Sequence, residues 1–222
     1  MFLRFVCSTA TAAAFLAAAM TLALPQTACA QTPPPVAAQN PQPAAPAKPE
    51  SKPPQPAPVA PEGIATKPGD PFGVDVTLTA KPIVYLKGSG TWDKAFAIIS
   101  ASLKKVEAYV DKAGLKADGL PMTIFLATDD RGFDYETAVP LAAPPTDPPH
   151  GEIAAGQSPD GHALEFVHRG SYEALDDTYE AITNYLDDKR LESRNVLIEQ
   201  YVTDPVTADE KNLVVNIFVL IK

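Results

Sequence analysis

Residues 163–188, ALEFVHRGSYEALDDTYEAITNYLDD, pass directly from a strand pattern into an amphipathic helix pattern. Residues 163–167 are mostly apolar, as in a buried strand. Apolar side chains then recur at spacings of 4, 3 and 4, at Leu175, Tyr179, Ile182 and Leu186. Acidic side chains occupy much of the rest, at Asp176, Asp177, Glu180, Asp187 and Asp188. The spacing predicts a surface helix with one buried stripe and one acidic face.

Two strand patterns follow this helix, at residues 196–202 and 213–221. The first half of the folded region repeats the order strand, helix, strand, strand. Gly90-Thr91-Trp92-Asp93 matches Gly170-Ser171-Tyr172-Glu173 at an offset of 80, and Ala127-Thr128-Asp129 matches Val202-Thr203-Asp204 at an offset of 75. The matching helix stripe is Trp92, Phe96, Ile99, Leu103, Val106 and Val110, and the strand patterns are residues 74–86, 122–127 and 133–139.

These patterns predict an α+β domain at residues 72–222, with repeat one at 72–139 and repeat two at 161–222. The proline-containing segment 140–160 is expected to be an exposed loop between the repeats. Neither repeat can bury one sheet face alone. We therefore expect tandem strand-helix-strand-strand units that form a pseudo-twofold antiparallel sheet carrying two helices.

The N-terminus has the layout of a secretory signal peptide. Arg4 precedes twenty uncharged residues, 5–24, and Ala28-Cys29-Ala30 offers small residues at a cleavage site. We expect cleavage after Ala30 and a periplasmic or secreted protein with no stable membrane insertion afterwards. A retained membrane anchor and a lipoprotein acylated at Cys29 are the alternatives. Both cysteines, Cys7 and Cys29, would be removed with the signal.

Residues 31–71 hold 14 of the 24 prolines and no aromatic residue. This composition predicts a disordered linker rich in proline and alanine, because it has too little apolar mass to offset the entropy of ordering. The following 151 residues carry 14 basic and 24 acidic side chains. Such an acidic domain is repelled by phosphate backbones, which argues against a nucleic-acid partner.

Three features of the second repeat occur together. The run Phe166-Val167-His168-Arg169-Gly170-Ser171-Tyr172 leads into an acidic helix, strand 196–202 ends in Thr203-Asp204-Pro205, and the last strand is apolar. Together they resemble the GyrI-like family, also called the AraC effector-binding domain. The resemblance covers about residues 72–222 and is strongest after Phe166. It implies a ligand pocket between the repeats for small molecules that are often bulky, apolar and cationic. No helix-turn-helix segment is present, so the transcriptional role of many members is not implied.

The resemblance also implies that an acidic residue of a Glu-x-Tyr strand faces the pocket, here Glu199 with Tyr201. Glu199 is the one charged residue in strand 196–202, and a carboxylate among apolar neighbours is costly to ionise without compensation. An ion pair with Arg169 or Arg194 is the structural alternative. At an offset of 75 the matching position is Ile124, so only the second half would supply an acid.

Three further residues are candidates for ligand binding. Trp92 and Tyr172 begin the two helices, where they would serve as aromatic pocket walls or as core anchors. Asn216 is an isolated polar residue in the apolar last strand, either hydrogen-bonding in the pocket or facing solvent.

From the sequence we expect no cofactor and no metal site, and no residue is identified as catalytic. His162 and His168 share a strand face but lie about 20 Å apart at ~3.3 Å per residue, and His150 is in the loop. The leading hypothesis is an exported domain that captures a small organic ligand. The alternatives are a hydrolase of reactive small molecules that uses Glu199, and an interaction protein whose acidic helix, Tyr172 to Asp188, docks on a partner.

Overall fold

A computed structural model of the chain describes residues 67–222. The predicted signal peptide, and the predicted linker up to residue 66, lie outside the described residues. Residues 67–222 form eight strands and two α-helices, with one 3-10 turn at Trp92–Lys94 before the first helix. The elements are β1 Phe72–Leu78, β2 Pro82–Thr91, α1 Ala95–Lys112, β3 Met122–Thr128, β4 Gly132–Pro140, β5 Ile153–Gln157, β6 Gly161–Gly170, α2 Leu175–Lys189, β7 Ser193–Tyr201 and β8 Leu213–Ile221.

The eight strands form one antiparallel sheet in the order β1-β6-β8-β7-β3-β4-β2-β5. One half of the sheet belongs to β2-α1-β3-β4 and the other to β6-α2-β7-β8, and the halves join where β3 pairs with β7. This arrangement confirms the predicted α+β fold with two helices on an antiparallel sheet.

The two edge strands are exchanged between the halves. β1 precedes the first half in sequence but pairs with β6 of the second, and β5 precedes the second half but pairs with β2 of the first. The sequence patterns did not show this exchange. Residues 79–81 divide the predicted strand 74–86 into β1 and β2. The expected loop 140–160 contains β5. The β5 sequence IAAGQ is short and contains alanine and glycine, which are depleted in strands, so its composition resembles a loop.

Both helices bury an apolar stripe, as their spacing predicts. In α1 the buried stripe includes Ile99, Leu103, Val106 and Val110, and in α2 it includes Leu175, Ile182 and Leu186. The main core contains residues of both helices and both halves of the sheet, with Phe72, Phe166 and Tyr201 among its largest buried side chains. Neither helix in the described part of the chain is long and apolar enough to cross a bilayer.

Candidate ligand-binding site

The central strands β3 and β7 pair along only part of their length. Their register ends at Phe125 opposite Leu197, although β3 continues to Thr128 and β7 begins at Ser193. Both strands also bulge at this level. One extra residue lies between Phe125 and Ala127 opposite β4, and two extra residues lie between Ser193 and Leu197 opposite β8. Because bulges interrupt the ladder and bend a strand, the two central strands part here and leave a gap between the halves.

A cavity of about 770 Å³ occupies this gap, with α2 forming one wall. The volume lies within the range of roughly 300–1,000 Å³ that is usual for small-molecule pockets. Its apolar part includes Phe125, Ile182, Leu186, Leu197 and Val219. Its charged side chains are four carboxylates, Asp129, Asp130, Asp176 and Glu180, and no Lys, Arg or His lines it. All the formal charge on the cavity wall is therefore negative.

The turn between β3 and β4 supplies two of these carboxylates. Asp129 Oδ1 accepts the backbone N–H groups of Arg131 and Gly132 at 2.7 and 3.0 Å, and its other oxygen lies 3.0 Å from the Arg131 guanidinium. These hydrogen bonds hold the pKa of Asp129 below its usual value. Asp129 is thus fixed and partly compensated, whereas Asp130 makes no side-chain hydrogen bond or ion pair within residues 67–222.

Trp92 lines the cavity next to this turn. Its indole N–H donates to the Asp129 carbonyl at 2.8 Å. Its ring lies 4.8 Å from Phe133 and stacks on Phe125 at 6.3 Å between centroids. Wall and core anchor are therefore not exclusive roles for Trp92, because it packs on the sheet and also borders the cavity.

Glu199 lies behind the cavity wall. Only 1% of the residue is exposed, and both carboxylate oxygens are hydrogen-bonded. The Tyr179 hydroxyl donates to Oε1, and the Tyr201 hydroxyl donates to Oε2 at 2.6 Å. Tyr179 itself lines the cavity, so a single phenol separates the buried carboxylate from the open space.

Burial dominates the electrostatics of this cluster. It raises the pKa of Glu199, although the two phenol hydrogen bonds act in the opposite direction. The pKa values of Tyr172, Tyr179 and Tyr201 are also well above their usual range, first because the rings are desolvated and then because Glu199 is near. The single hydroxyl proton of Tyr201 is used in its hydrogen bond to Glu199. The Thr123 hydroxyl, 3.0 Å from the Tyr201 oxygen, is therefore the donor in the hydrogen bond between those two residues.

The ion-pair alternative for Glu199 is wrong. Arg169 makes a bidentate pair with Asp70, with both N–O distances at 2.7 Å. Arg194 donates to the Asp160 carbonyl at 3.2 Å. Within residues 67–222, no cationic side chain pairs with Glu199. The carboxylate is compensated by phenol hydroxyl groups alone.

The other predicted site residues are placed less centrally. Tyr172 packs against Phe96 at 5.3 Å and does not line the cavity. Asn216 lies away from the cavity, because it pairs with Gln200 while Ile217 pairs with Glu199, and successive strand residues face opposite sides of the sheet. The pocket role considered for Asn216 is therefore not supported by its position.

Tyr179 is the central residue that sequence reasoning missed. The sequence places it in the apolar stripe of α2, where a tyrosine is indistinguishable from other core residues unless its hydroxyl group has a known partner. The matching position for Glu199 also needs correction. Leu126 is the extra residue of the β3 bulge, so before it the offset between the halves is 76 (199 − 123) and not 75, and the residue that matches Glu199 is Thr123. Thr123 also pairs with Glu199 across the two strands, whereas Ile124 faces the other side of the sheet.

This arrangement suits binding better than general base catalysis. Each Glu199 oxygen accepts a phenol hydrogen bond and the residue does not line the cavity, so the carboxylate is not in direct reach of a molecule held there. In the described residues, no three His, Cys, Asp or Glu side chains come together as a metal ion would require.

The solved structures that share this fold include two of EcmrR. The C-terminal domain of EcmrR aligns with a TM-score of 0.56 at 16% identity, over 68% of this chain and 97% of that domain. EcmrR in its complex with DNA aligns with a TM-score of 0.59 at 14% identity, and there the match spans 68% of this chain but 57% of the other. SAV2435 bound to tetraphenylphosphonium has a TM-score of 0.46 at 13% identity, over 68% of this chain and 94% of that one. No curated protein matches the chain.

The family comparison agrees with the fold. Residues 76–222 match the model of the GyrI-like small molecule binding domain, which confirms the resemblance seen in the sequence. The chain therefore belongs to the GyrI-like family of small-molecule-binding domains.

Proposed function

We propose that this protein captures a bulky organic cation in the cavity between its two halves. The observation that carries the proposal is the composition of the cavity wall, in which all four charged side chains are carboxylates. A cavity of about 770 Å³ has room for an organic ion with several rings. Its acidic lining would attract such an ion and would repel an anion of the same shape.

The aromatic residues support the same ligand class. Trp92 and Tyr179 border the cavity from opposite halves of the molecule. Aromatic faces attract cations through the ring quadrupole, and they pack well against flat apolar groups. A delocalised or quaternary cation uses both properties, whereas a small hydrated ion would leave the apolar part of the wall exposed to water.

Glu199 adds a buried negative charge behind Tyr179. Nothing cationic compensates it within the described residues, so a bound cation would reduce the free-energy cost of its ionisation. The four carboxylates that line the cavity would then attract the ligand from solvent, and Glu199 would strengthen its binding once water has been displaced.

Tetraphenylphosphonium is a suitable probe, because it is bulky, apolar and permanently charged. We expect saturable binding by titration calorimetry, weakened by salt and absent for triphenylmethane, which is neutral and has no hydrogen-bond acceptor. Replacing Asp130 with Asn and Glu180 with Gln should weaken binding by about two- to fivefold for each carboxylate removed, the usual effect of partly exposed charge pairs.

A matched control uses the same helix. Asp187 and Asp188 are exposed acids of α2 that do not line the cavity. Their replacement with Asn removes the same amount of charge and should change the affinity by less than the cavity double variant does. Equal losses in the two double variants would point to general attraction by net charge and would reject this cavity as the site.

The N-terminal sequence supports a second proposal, that the domain acts outside the cytoplasm. Arg4, the uncharged run 5–24 and the small residues at Ala28 and Ala30 are typical of an exported precursor. Mass spectrometry of the protein from its native host should find a mature chain beginning near Gln31. Recovery of intact Met1 from the cytoplasm would reject export.

A further inference from the structure

We propose that Ser193 and Asn195 form a subsite for an uncharged hydrogen-bond acceptor of the ligand, such as a carbonyl or ether oxygen. This inference rests on the proposed function and specifies the ligand further. Both residues line the cavity at the start of β7, on the side of the second half. The subsite would select, among organic cations, those that also carry such an oxygen.

The two side chains have hydrogen-bond donors to spare. Ser193 Oγ accepts the backbone N–H of Asn195 at 3.0 Å, which leaves the hydroxyl proton available to another acceptor. The Asn195 side-chain amide makes no hydrogen bond to any part of the described chain, and the residue is exposed. The Thr183 hydroxyl on α2 is different, because it already donates to the Tyr179 carbonyl at 2.9 Å.

The backbone at this point is built to present these side chains. β7 advances four residues from Ser193 to Leu197 while β8 advances two, so Asn195 lies outside the ladder. Its φ angle is +58°, in the left-handed region that asparagine tolerates better than most residues. A bulge redirects side chains, and a strained non-glycine residue beside a cavity is a frequent sign of function.

The opposite wall has different chemistry. Asp129 and Asp130 follow β3 in the first half, and their carboxylates can accept hydrogen bonds but cannot donate them. A ligand that fits both walls therefore places its positive charge toward the first half and an acceptor oxygen toward Ser193 and Asn195. An acceptor without a proton distinguishes these groups, because Asp129 and Asp130 cannot donate to it whereas Ser193 and Asn195 can.

Three probes test this subsite on the full chain by titration calorimetry. They are tetraphenylphosphonium, its 4-acetylphenyl derivative, and its 4-isopropylphenyl derivative, which has nearly the shape of the acetyl compound but no acceptor. We expect the acetyl probe to bind about fivefold more tightly than the isopropyl probe, the ratio given by one hydrogen bond of ordinary net strength.

The double variant Ser193→Ala, Asn195→Gly should bring this ratio close to one. Glycine adopts a positive φ without strain, so the backbone of the bulge is retained. Asn195→Asp is the second variant, which keeps the size of the side chain but replaces its donor with an acceptor, and it should also lower the ratio. The control Ser89→Ala, Asn212→Gly changes the same residue types at exposed positions away from the cavity and should keep it.

The outcomes separate the two proposals. Equal binding of the acetyl and isopropyl probes to the natural protein, or a preference that survives in Ser193→Ala, Asn195→Gly, overturns the subsite but leaves the cation cavity standing. If none of the three cations binds, the proposed function fails, and the subsite fails with it.

Discussion

Glu199 is held in the interior of the protein by hydrogen bonds from Tyr179 and Tyr201, without a cation. Burial raises its pKa above the unfolded value of 4.5, so the folded state binds the proton more tightly than the unfolded chain does. Folding is then most favourable while the carboxyl is protonated. The stability of the domain should fall as the pH rises through the interval between the two pKa values.

Glu199→Gln removes this dependence while keeping the shape of the side chain. At pH 8 we expect its melting temperature to equal or exceed that of the natural protein, because a neutral amide avoids the cost of burying a charge. At pH 4 the advantage should disappear, since the glutamate is then protonated in both states. Glu173→Gln, an exposed change at the start of the α2 region, serves as the control. A clear loss of stability at pH 8 would contradict this prediction.

Sequence reasoning at this scale found the buried carboxylate but not its surroundings. Glu199 was recognisable because it is a lone charge in an apolar strand, and Tyr201 because it shares its face. Tyr179 and Thr123 come from other elements, and which hydroxyl group reaches Glu199 or Tyr201 depends on packing distances that spacing in sequence does not contain. For the same reason, the sequence does not identify Asp129 and Asp130 as cavity carboxylates.

At the scale of elements, α2 is joined to β6 by a buried histidine. The Thr178 hydroxyl donates to His168 Nδ1 at 2.8 Å, and Nε2–H donates to the Ser171 carbonyl at 3.0 Å. Only 1% of His168 and 1% of Thr178 are exposed. This link fixes the first turn of the helix that carries Asp176, Tyr179 and the rest of the cavity wall.

Thr178→Val should destabilise the domain by about 1–3 kcal/mol, because it leaves a buried imidazole nitrogen without a donor. Urea unfolding at pH 7.5 measures this difference. Thr77→Val, on the exposed side of β1, is the control and should change stability by much less. An unchanged free energy of unfolding for Thr178→Val would contradict this prediction.

The same histidine makes the α2 attachment sensitive to pH. Burial lowers the pKa of His168 below 6.5, so the unfolded chain takes up the proton first as the pH falls. The stabilisation is complete above about pH 6.5 and is lost as the pH approaches the lower folded value. His168→Gln should show a flatter dependence between pH 7.5 and 5 than the natural protein, measured by the same unfolding transitions.

The elements themselves were largely predictable, and their irregularities were not. Periodicity located both helices and most of the strands because apolar spacing reflects burial directly. It did not separate β1 from β2, and it missed β5 and both bulges at the cavity. The bulge at Leu126 adds one residue that the sequence pattern does not reveal, so the position that matches Glu199 is Thr123 and not Ile124.

At the scale of the whole molecule, the folded domain includes residues before β1. Asp70 forms the bidentate pair with Arg169 of β6, and the Val167 amide donates to the Pro71 carbonyl at 3.0 Å. The guanidinium lowers the pKa of Asp70 to about 2. The predicted boundary at residue 72 therefore omits two residues that are attached to the sheet.

A chain starting at Thr66 should unfold at nearly the same temperature as a chain starting at Gln31, whereas one starting at Pro71 should melt earlier. Asp70→Asn should account for most of that loss, about 1–2 kcal/mol at pH 7, from the linkage between pKa and stability. A depressed pKa stabilises above about pH 4, so the differences should shrink as the pH falls from 4 toward 2. Equal melting of all three chains would show that the pair contributes nothing.

The exchanged edge strands described above also bear on the order in which this protein assembles. Phe72 of β1 pairs with Phe166 of β6, so the two strands that pair here are separated by almost a hundred residues in sequence. Long-range pairing of this kind slows folding, because the loop must close before its contacts form. β1 is the first of the eight strands along the chain, yet it cannot pair until β6 is in position. The strand at this edge of the second half is therefore expected to join the sheet late in folding.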